Sequence, residues 1–148
     1  IMVNFILGIT LPTNEEFIAA DINGDGELNV VDVVSNITNI LGTRNNQSSF
    51  SSLKSIDINH KSKFINIPKT SDIAGIEIHF KNQCNIVKSS IDDNWTIRNH
   101  GNKVILYSND LKTMSKNFSI KFDRYSKIDR VIVSDKSGSS IKTRIYKK

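Results

Sequence analysis

The sequence predicts a mixed, mainly β protein: a small all-α module over residues 1–42, a polar linker over 43–52 and an antiparallel β-sandwich over 53–148. Three observations predict it. Charge is divided, because residues 1–43 hold six acids and no Lys or Arg, net −6, whereas residues 44–148 hold all 20 basic residues, net +11. The hydrophobic period changes from three-and-four to two near Leu53, which is the change from helix to strand. Between the first two apolar segments, Asp21 to Asp32 carries oxygen-bearing side chains at regular spacing around glycines, a pattern that neither helix nor strand requires. With 148 residues, 38% hydrophobic and 24% charged, the chain is too apolar for disorder and fits one ordinary domain or two small ones.

The elements follow in order. Ile1-Met2-Val3-Asn4-Phe5-Ile6-Leu7-Gly8 reads as the end of a helix stopped by a glycine cap, which raises the expectation that the chain is a piece of something longer. Pro12 to Phe17 reads as a short helix opened by a Thr13/Glu16 capping box. After Asn29, Val30, Val33, Val34, Ile37, Ile40 and Leu41 recur at helical spacing until Gly42, predicting an amphipathic helix with a glycine stop.

The loop before that helix is the most informative stretch. Asp21, Asn23, Asp25, Asn29 and Asp32 occupy positions 1, 3, 5, 9 and 12 of a twelve-residue loop, with Gly26 at position 6, where a sharp turn is needed. Calcium takes six to eight oxygens, and such a loop wraps it with alternate residues pointing inward. On this reading Asp21, Asn23 and Asp25 give side-chain oxygens, Glu27 its backbone carbonyl, Asn29 a direct or water-bridged contact, and Asp32 the closing carboxylate. Three carboxylates converging in one loop repel one another unless a divalent ion neutralises them, so calcium-dependent order is expected over residues 1–42. A plain surface turn explains the glycines but not the five spaced oxygens.

Asp-x-Asn-x-Asp-Gly-x-x-Asn-x-x-Asp followed by an apolar helix ending in Ile-Leu-Gly resembles the dockerin repeat, an EF-hand-like loop and helix (F-hand). Val3, Ile6, Leu7 and Gly8 align with Ile37, Ile40, Leu41 and Gly42 at a constant offset of 34, so the tail of a first repeat stands before the complete second one. Asp32 stands where the common helix-loop-helix site has a longer Glu. The resemblance covers about 42 residues. It implies a Ca²⁺ cofactor at Asp21, Asn23, Asp25, Glu27, Asn29 and Asp32, a module folded by that ion, a first loop upstream of Ile1, and helices that dock on a cohesin domain of another protein.

Beyond the linker the apolar residues alternate: Ile56, Ile58; Phe64, Ile65, Ile67; Ile73, Ile76, Ile78, Phe80; Val104, Leu106; Phe118, Ile120, Phe122; Ile128, Val131, Val133; Ile141, Ile145. Short β-branched and aromatic runs separated by Asn, Asp, Ser and Gly clusters predict eight or nine strands in an antiparallel sandwich. The runs Ile73-Ala74-Gly75-Ile76, Val104-Ile105-Leu106-Tyr107 and Val131-Ile132-Val133-Ser134-Asp135 are similar to strands of cohesin-like sandwiches over about 75 residues. Gly75 departs from strand preference, which points to a bulge or close packing.

Other sites are weak. Lys121, Arg124, Lys127, Arg130, Lys142, Arg144, Lys147 and Lys148 on alternating strands read first as a solvated face that protects strand edges, and second as a surface for an acidic partner such as an anionic glycan. Few aromatics interleave with that charge, which argues against nucleic acid. Trp95 with Tyr107, Tyr125 and Tyr146 offers a carbohydrate platform, though a lone Trp usually packs in a core. Cys84, alone, reads as a small buried hydrophobe. No nucleophile-elbow, phosphate-loop or Ser/Cys–His pattern is present, and Asp92, Asp93 and Glu77 have no spacing that marks a carboxylate pair, so no enzyme is expected. No apolar run nears the roughly 18 residues of a membrane span.

The sequence therefore predicts a non-catalytic calcium-binding interaction or anchoring module that assembles an extracellular, secreted or surface-associated complex. Its helices bind a cohesin-type sandwich in trans or the sandwich of their own chain. The alternative is a structural or adhesive component of a filament, cell surface or virion, where calcium stiffens the interdomain joint. Opposite charges on the two halves favour intramolecular docking.

Overall fold

The computed structural model describes residues 1–42 and 55–147. The expected linker, Leu53 and Lys148 fall outside the described residues. Three helices come first, α1 (Met2–Leu7), α2 (Asn14–Ala20) and α3 (Val30–Ile40). Nine strands follow: β1 (Ser55–Lys61), β2 (Phe64–Ile67), β3 (Ile73–Phe80), β4 (Ile86–Ser90), β5 (Trp95–His100), β6 (Lys103–Ser108), β7 (Phe118–Phe122), β8 (Ile128–Asp135) and β9 (Ser140–Lys147).

The helix boundaries have local causes. Thr13 Oγ1 accepts from the Glu16 N–H at 3.2 Å while the Thr13 N–H donates to Glu16 Oε2 at 2.8 Å, the reciprocal capping box that opens α2. Gly8 and Gly42 end α1 and α3 with φ of 72° and 68°, the left-handed conformation that glycine adopts without steric cost.

The strands hydrogen-bond in the order β4-β7-β2-β1-β9-β8-β3-β6-β5, a sheet that folds over on itself at β9 into two layers. One expectation needs correction: the sandwich is not wholly antiparallel. β1 and β9 run parallel, from Ser55 opposite Lys142 to His60 opposite Lys147. The seven strands between them serve as the long crossover that a parallel pair requires. β4 and β5, which apolar alternation did not reveal, are the two ends of the strand order, where a strand has one neighbour and carries fewer apolar residues.

Inward residues of both layers form the sandwich core, including Ile58, Ile65, Ile76, Ile78, Leu106, Phe118 and Ile120. Trp95 is buried there, edge-on to Phe118 with ring centroids 5.0 Å apart, so it cannot join Tyr107, Tyr125 and Tyr146 in a surface platform. Cys84 is fully buried, and burial pushes its thiol up to about 11. Of the apolar-run residues, Phe64 and Ile145 are exposed, at 41% and 36%. Among the described residues no helix is long and apolar enough to cross a membrane.

The helices do not stand apart. α1 and α3 lie on the outer face of the β8-β3-β6-β5 layer, and Ile6, Leu7, Val30, Val31 and Val33 form a second apolar cluster with Ile105 and Ile132 of the sheet. The apolar stripe of α3 is therefore occupied as far as Ile37, whereas Ile40 and Leu41 at its end remain exposed.

Candidate metal centre

The loop of interest joins the C-terminus of α2 to the N-terminus of α3. Gly24 and Gly26, with φ of 71° and 83°, make its tight bend. Asp21 is the hub: its Oδ1 accepts from the N–H groups of Gly24 at 2.9 Å and Asp25 at 3.2 Å, and its Oδ2 from Gly26 at 2.9 Å. Two further local turns follow, with Asn23 Oδ1 accepting from the Asp25 N–H at 3.0 Å and Asp25 Oδ1 from the Glu27 N–H at 2.9 Å. Asp and Asn make such side-chain-to-backbone turns readily. Asp25 Oδ2 also accepts from Asn23 Nδ2 at 2.8 Å, so three of the expected ligands form one hydrogen-bonded group.

Asp32 closes the loop from the first turn of α3. Its Oδ1 accepts from the N–H groups of Ile22 at 2.9 Å and Asn23 at 3.4 Å, and its Oδ2 from Asn29 at 3.0 Å. The residue is fully buried. Burial raises its pKa above the usual carboxylate value and outweighs the three backbone N–H groups that lower it. Among the described residues no cation pairs with it.

The other two expected ligands face elsewhere. The Glu27 carboxylate turns out to Arg130 Nη2 at 2.6 Å, which leaves only its backbone carbonyl for the loop, the role expected of it. Asn29 Oδ1 accepts from the Val31 N–H at 2.8 Å and caps α3. Among the described residues no three His, Cys, Asp or Glu side chains gather into a ready metal cage. The donor set is a mixture of Asp, Asn and backbone oxygens on one loop.

Those residues fit a hard divalent cation. All the donors are oxygen, and Asp21 and Asp32 each spend three of about four acceptor positions on N–H groups, leaving room for another contact. A buried carboxylate without a cationic partner is also costly, and a bound cation is the usual remedy.

The stretch that closes the loop also seats the helix. The Val30 N–H, next to Asn29, donates to Glu77 Oε2 at 2.9 Å, and Glu77, 1% exposed in the middle of β3, also contacts His79 Nε2 through Oε1. Gly75 on the same strand gives α3 room: a Cβ there would lie 2.6 Å from Val30 Cγ2 and 2.7 Å from Val34 Cγ2. The close packing expected of Gly75 is thus against a helix. Lys103 Nζ donates to the Ile6 carbonyl at 2.9 Å and His100 Nδ1 lies 3.3 Å from the Leu7 carbonyl, so two bases satisfy the end of α1. Thr38 Oγ1 donates to the Lys136 carbonyl at 3.1 Å near the other end of α3.

Sequence reasoning missed Glu77 as a docking group. A single carboxylate inside Ile76-Glu77-Ile78, bordered by apolar residues on a strand, was the available signal. Glu77 bonds to α3 and His79, and Asp92 accepts from the Ser115 N–H and hydroxyl.

The chain matches no protein-family model and no curated protein. Among solved structures it is similar to a non-cellulosomal cohesin from the archaeon Archaeoglobus fulgidus, at 13% identity and TM-score 0.38, over 64% of this chain and 86% of that one. It is similar to a chain of a type I cohesin–dockerin complex from Clostridium thermocellum at 8% identity and TM-score 0.38, over 68% of this chain and 94% of that one. A chitin-binding domain of a chitinase from Pyrococcus furiosus matches at 8% identity and TM-score 0.38, over 58% of this chain and 93% of that one. These are likenesses of general outline.

Proposed function

We propose that the chain is a non-catalytic calcium-binding interaction module of an extracellular or surface assembly, in which a calcium-ordered loop locks α3 onto the sandwich of its own chain. The observation that carries this reading is the junction at Asn29–Asp32. Buried Asp32 closes the loop there, and two residues earlier the Val30 N–H is delivered to Glu77 of the sheet. Order in the loop and docking of the helix are therefore one structural event.

Asp21, Asn23, Asp25 and Asp32 would hold the ion with the Glu27 carbonyl, and Asn29 would contribute directly or through water. Bound Ca²⁺ would supply the positive charge that offsets the repulsion among three carboxylates and the burial of one. The chain's own residues do the rest: the Asp21 turns set the loop, Asp32 fixes the start of α3, and Glu77 and Gly75 receive it. The resemblance to dockerins implies docking in trans. Here α3 already spends its apolar stripe on Ile105 and Ile132, which supports the reading of a calcium-stiffened joint and directs assembly partners to other surfaces.

Calcium titration of the full chain tests this. At a free calcium concentration of one hundred times Kd, stabilisation of about 2.7 kcal/mol is expected, read as a rise in Tm over the EDTA-treated protein. Asp21→Asn combined with Asp25→Asn should abolish the rise. An identical Tm in calcium and in EDTA, with no heat of binding, would sink the reading.

A further inference from the structure

The helices α1 and α3 cover one layer of the sandwich, and among the described residues no helix packs extensively on the β4-β7-β2-β1-β9 layer. Directly opposed residues on paired strands share a face, so the pairing register sorts the outward side chains into rows across the sheet. In one row Lys88 stands opposite Lys121, Lys121 opposite Phe64, and Phe64 opposite Lys61. All four are exposed, and Lys121 Nζ sits 5.6 Å from the Phe64 ring centroid. Four positions on successive strands span roughly 14 Å. Among the described residues none of these lysines pairs with a carboxylate.

The neighbouring row is uncharged and rich in donors and acceptors. Ser119 stands opposite Asn66, Asn66 opposite Asn59, and Asn59 opposite Tyr146. Asp57, further along β1, is neutralised by Arg144 Nε at 2.8 Å. The six acids of residues 1–43 belong to the segment whose helices α1 and α3 cover the opposite layer, so none of them belongs to the strands of this face.

We infer that this bare face binds an anionic polysaccharide, carboxylated or sulfated. The ammonium row meets the acid groups, the exposed Phe64 and Tyr146 rings lie against sugar faces, and the amide and hydroxyl row meets sugar hydroxyls. Exposed lysines act as hydrated point charges, which suits a wet, salt-sensitive contact rather than a dry protein interface. A single-stranded nucleic acid wants successive aromatic platforms along its charged track, and the cationic row offers one ring.

The test passes the full chain over immobilised heparin, polygalacturonate and neutral dextran, with single-stranded DNA as a competitor. Retention on both acidic polymers that weakens as salt rises, and none on dextran, is expected. K61Q/K88Q/K121Q should weaken heparin binding at least about tenfold and F64A about threefold, with Tm unchanged. K69Q/K116Q/K127Q removes as many exposed charges elsewhere and should stay within about twofold. Equal loss in the two triple variants, DNA competing as well as free heparin, or no retention on either acidic polymer would each overturn the inference.

Discussion

The two faces of this sandwich are built from the same kinds of residue and do opposite things. On the bare layer, β1, β2 and β7 alternate strictly, with Ile56, Ile58, Ile65, Ile67, Phe118 and Ile120 inward and polar residues, Lys121 or Phe64 outward. On the covered layer, β3 is buried from Ile73 through Ile78, and β6 carries Val104, Ile105 and Leu106 in succession, all buried. A strand buried on both faces reads as a continuous apolar run, and a strand buried on one face alternates. The difference shows that the covered layer is composed to receive something, and the residues that receive it are particular: glycine beneath Val30 and Val34 of α3, and a lone carboxylate where the Val30 N–H points.

The largest way to break that contrast is at Gly75. Valine there would drive new atoms into Val30 and Val34, whose Cγ2 atoms already stand within 2.7 Å of where a Cβ would sit. Gly75→Val should destabilise the protein by about 3 kcal/mol in chemical denaturation and lower protection of the α3 amides from hydrogen exchange. Asn66→Val, which puts the same side chain on the open face, should stay within about 0.5 kcal/mol. Equal losses would mean that α3 is not held against the sheet.

Much of this was legible from residue order alone, and the exceptions have physical reasons. The loop from Asp21 to Asp32, the capping box at Thr13 and the glycine stops are local chemistry, so spacing reveals them. The strands β1, β2, β3, β6, β7 and β8 announce themselves because one face of each meets a core. β4 and β5 do not, because edge strands need fewer apolar residues. The parallel pairing of β1 with β9 joins residues more than eighty positions apart, and no local pattern encodes it. The seat of α3 is half visible in the sequence: opposite charges on the two halves favour docking and Gly75 departs from strand preference, but nothing in the order of residues joins Glu77 to a helix forty-seven positions away.

Glu77 gives the next effect in size. Glu77→Leu keeps the strand apolar but leaves the Val30 N–H without its acceptor beneath the helix, and an orphaned buried donor costs about 2 kcal/mol. Glu77→Gln keeps an acceptor oxygen at that place and should recover most of the loss, which separates hydrogen bonding from charge. On the open face, Asp57→Leu breaks only the exposed pair with Arg144 and should cost less than about 1 kcal/mol by the same denaturation measurement. If Glu77→Leu were as mild as Asp57→Leu, the buried carboxylate would have no part in docking.

The smallest effect concerns what the charge division contributes. Arg130 reaches Glu27 across the interface at 2.6 Å, and both side chains are about half exposed. Exposed pairs are worth about 0.5 kcal/mol and are screened by salt. Arg130→Gln should therefore lower stability by no more than that, and the small loss should vanish near 1 M NaCl, where the screening length is about 3 Å. Packing of Val30 and Val33 with Ile105 and Ile132 is indifferent to salt, so docking itself should survive that condition, read as unchanged exchange protection in α3. A helix released by salt alone would reverse this order and make the opposite charges of the two halves, rather than the apolar seat between them, what holds the module together.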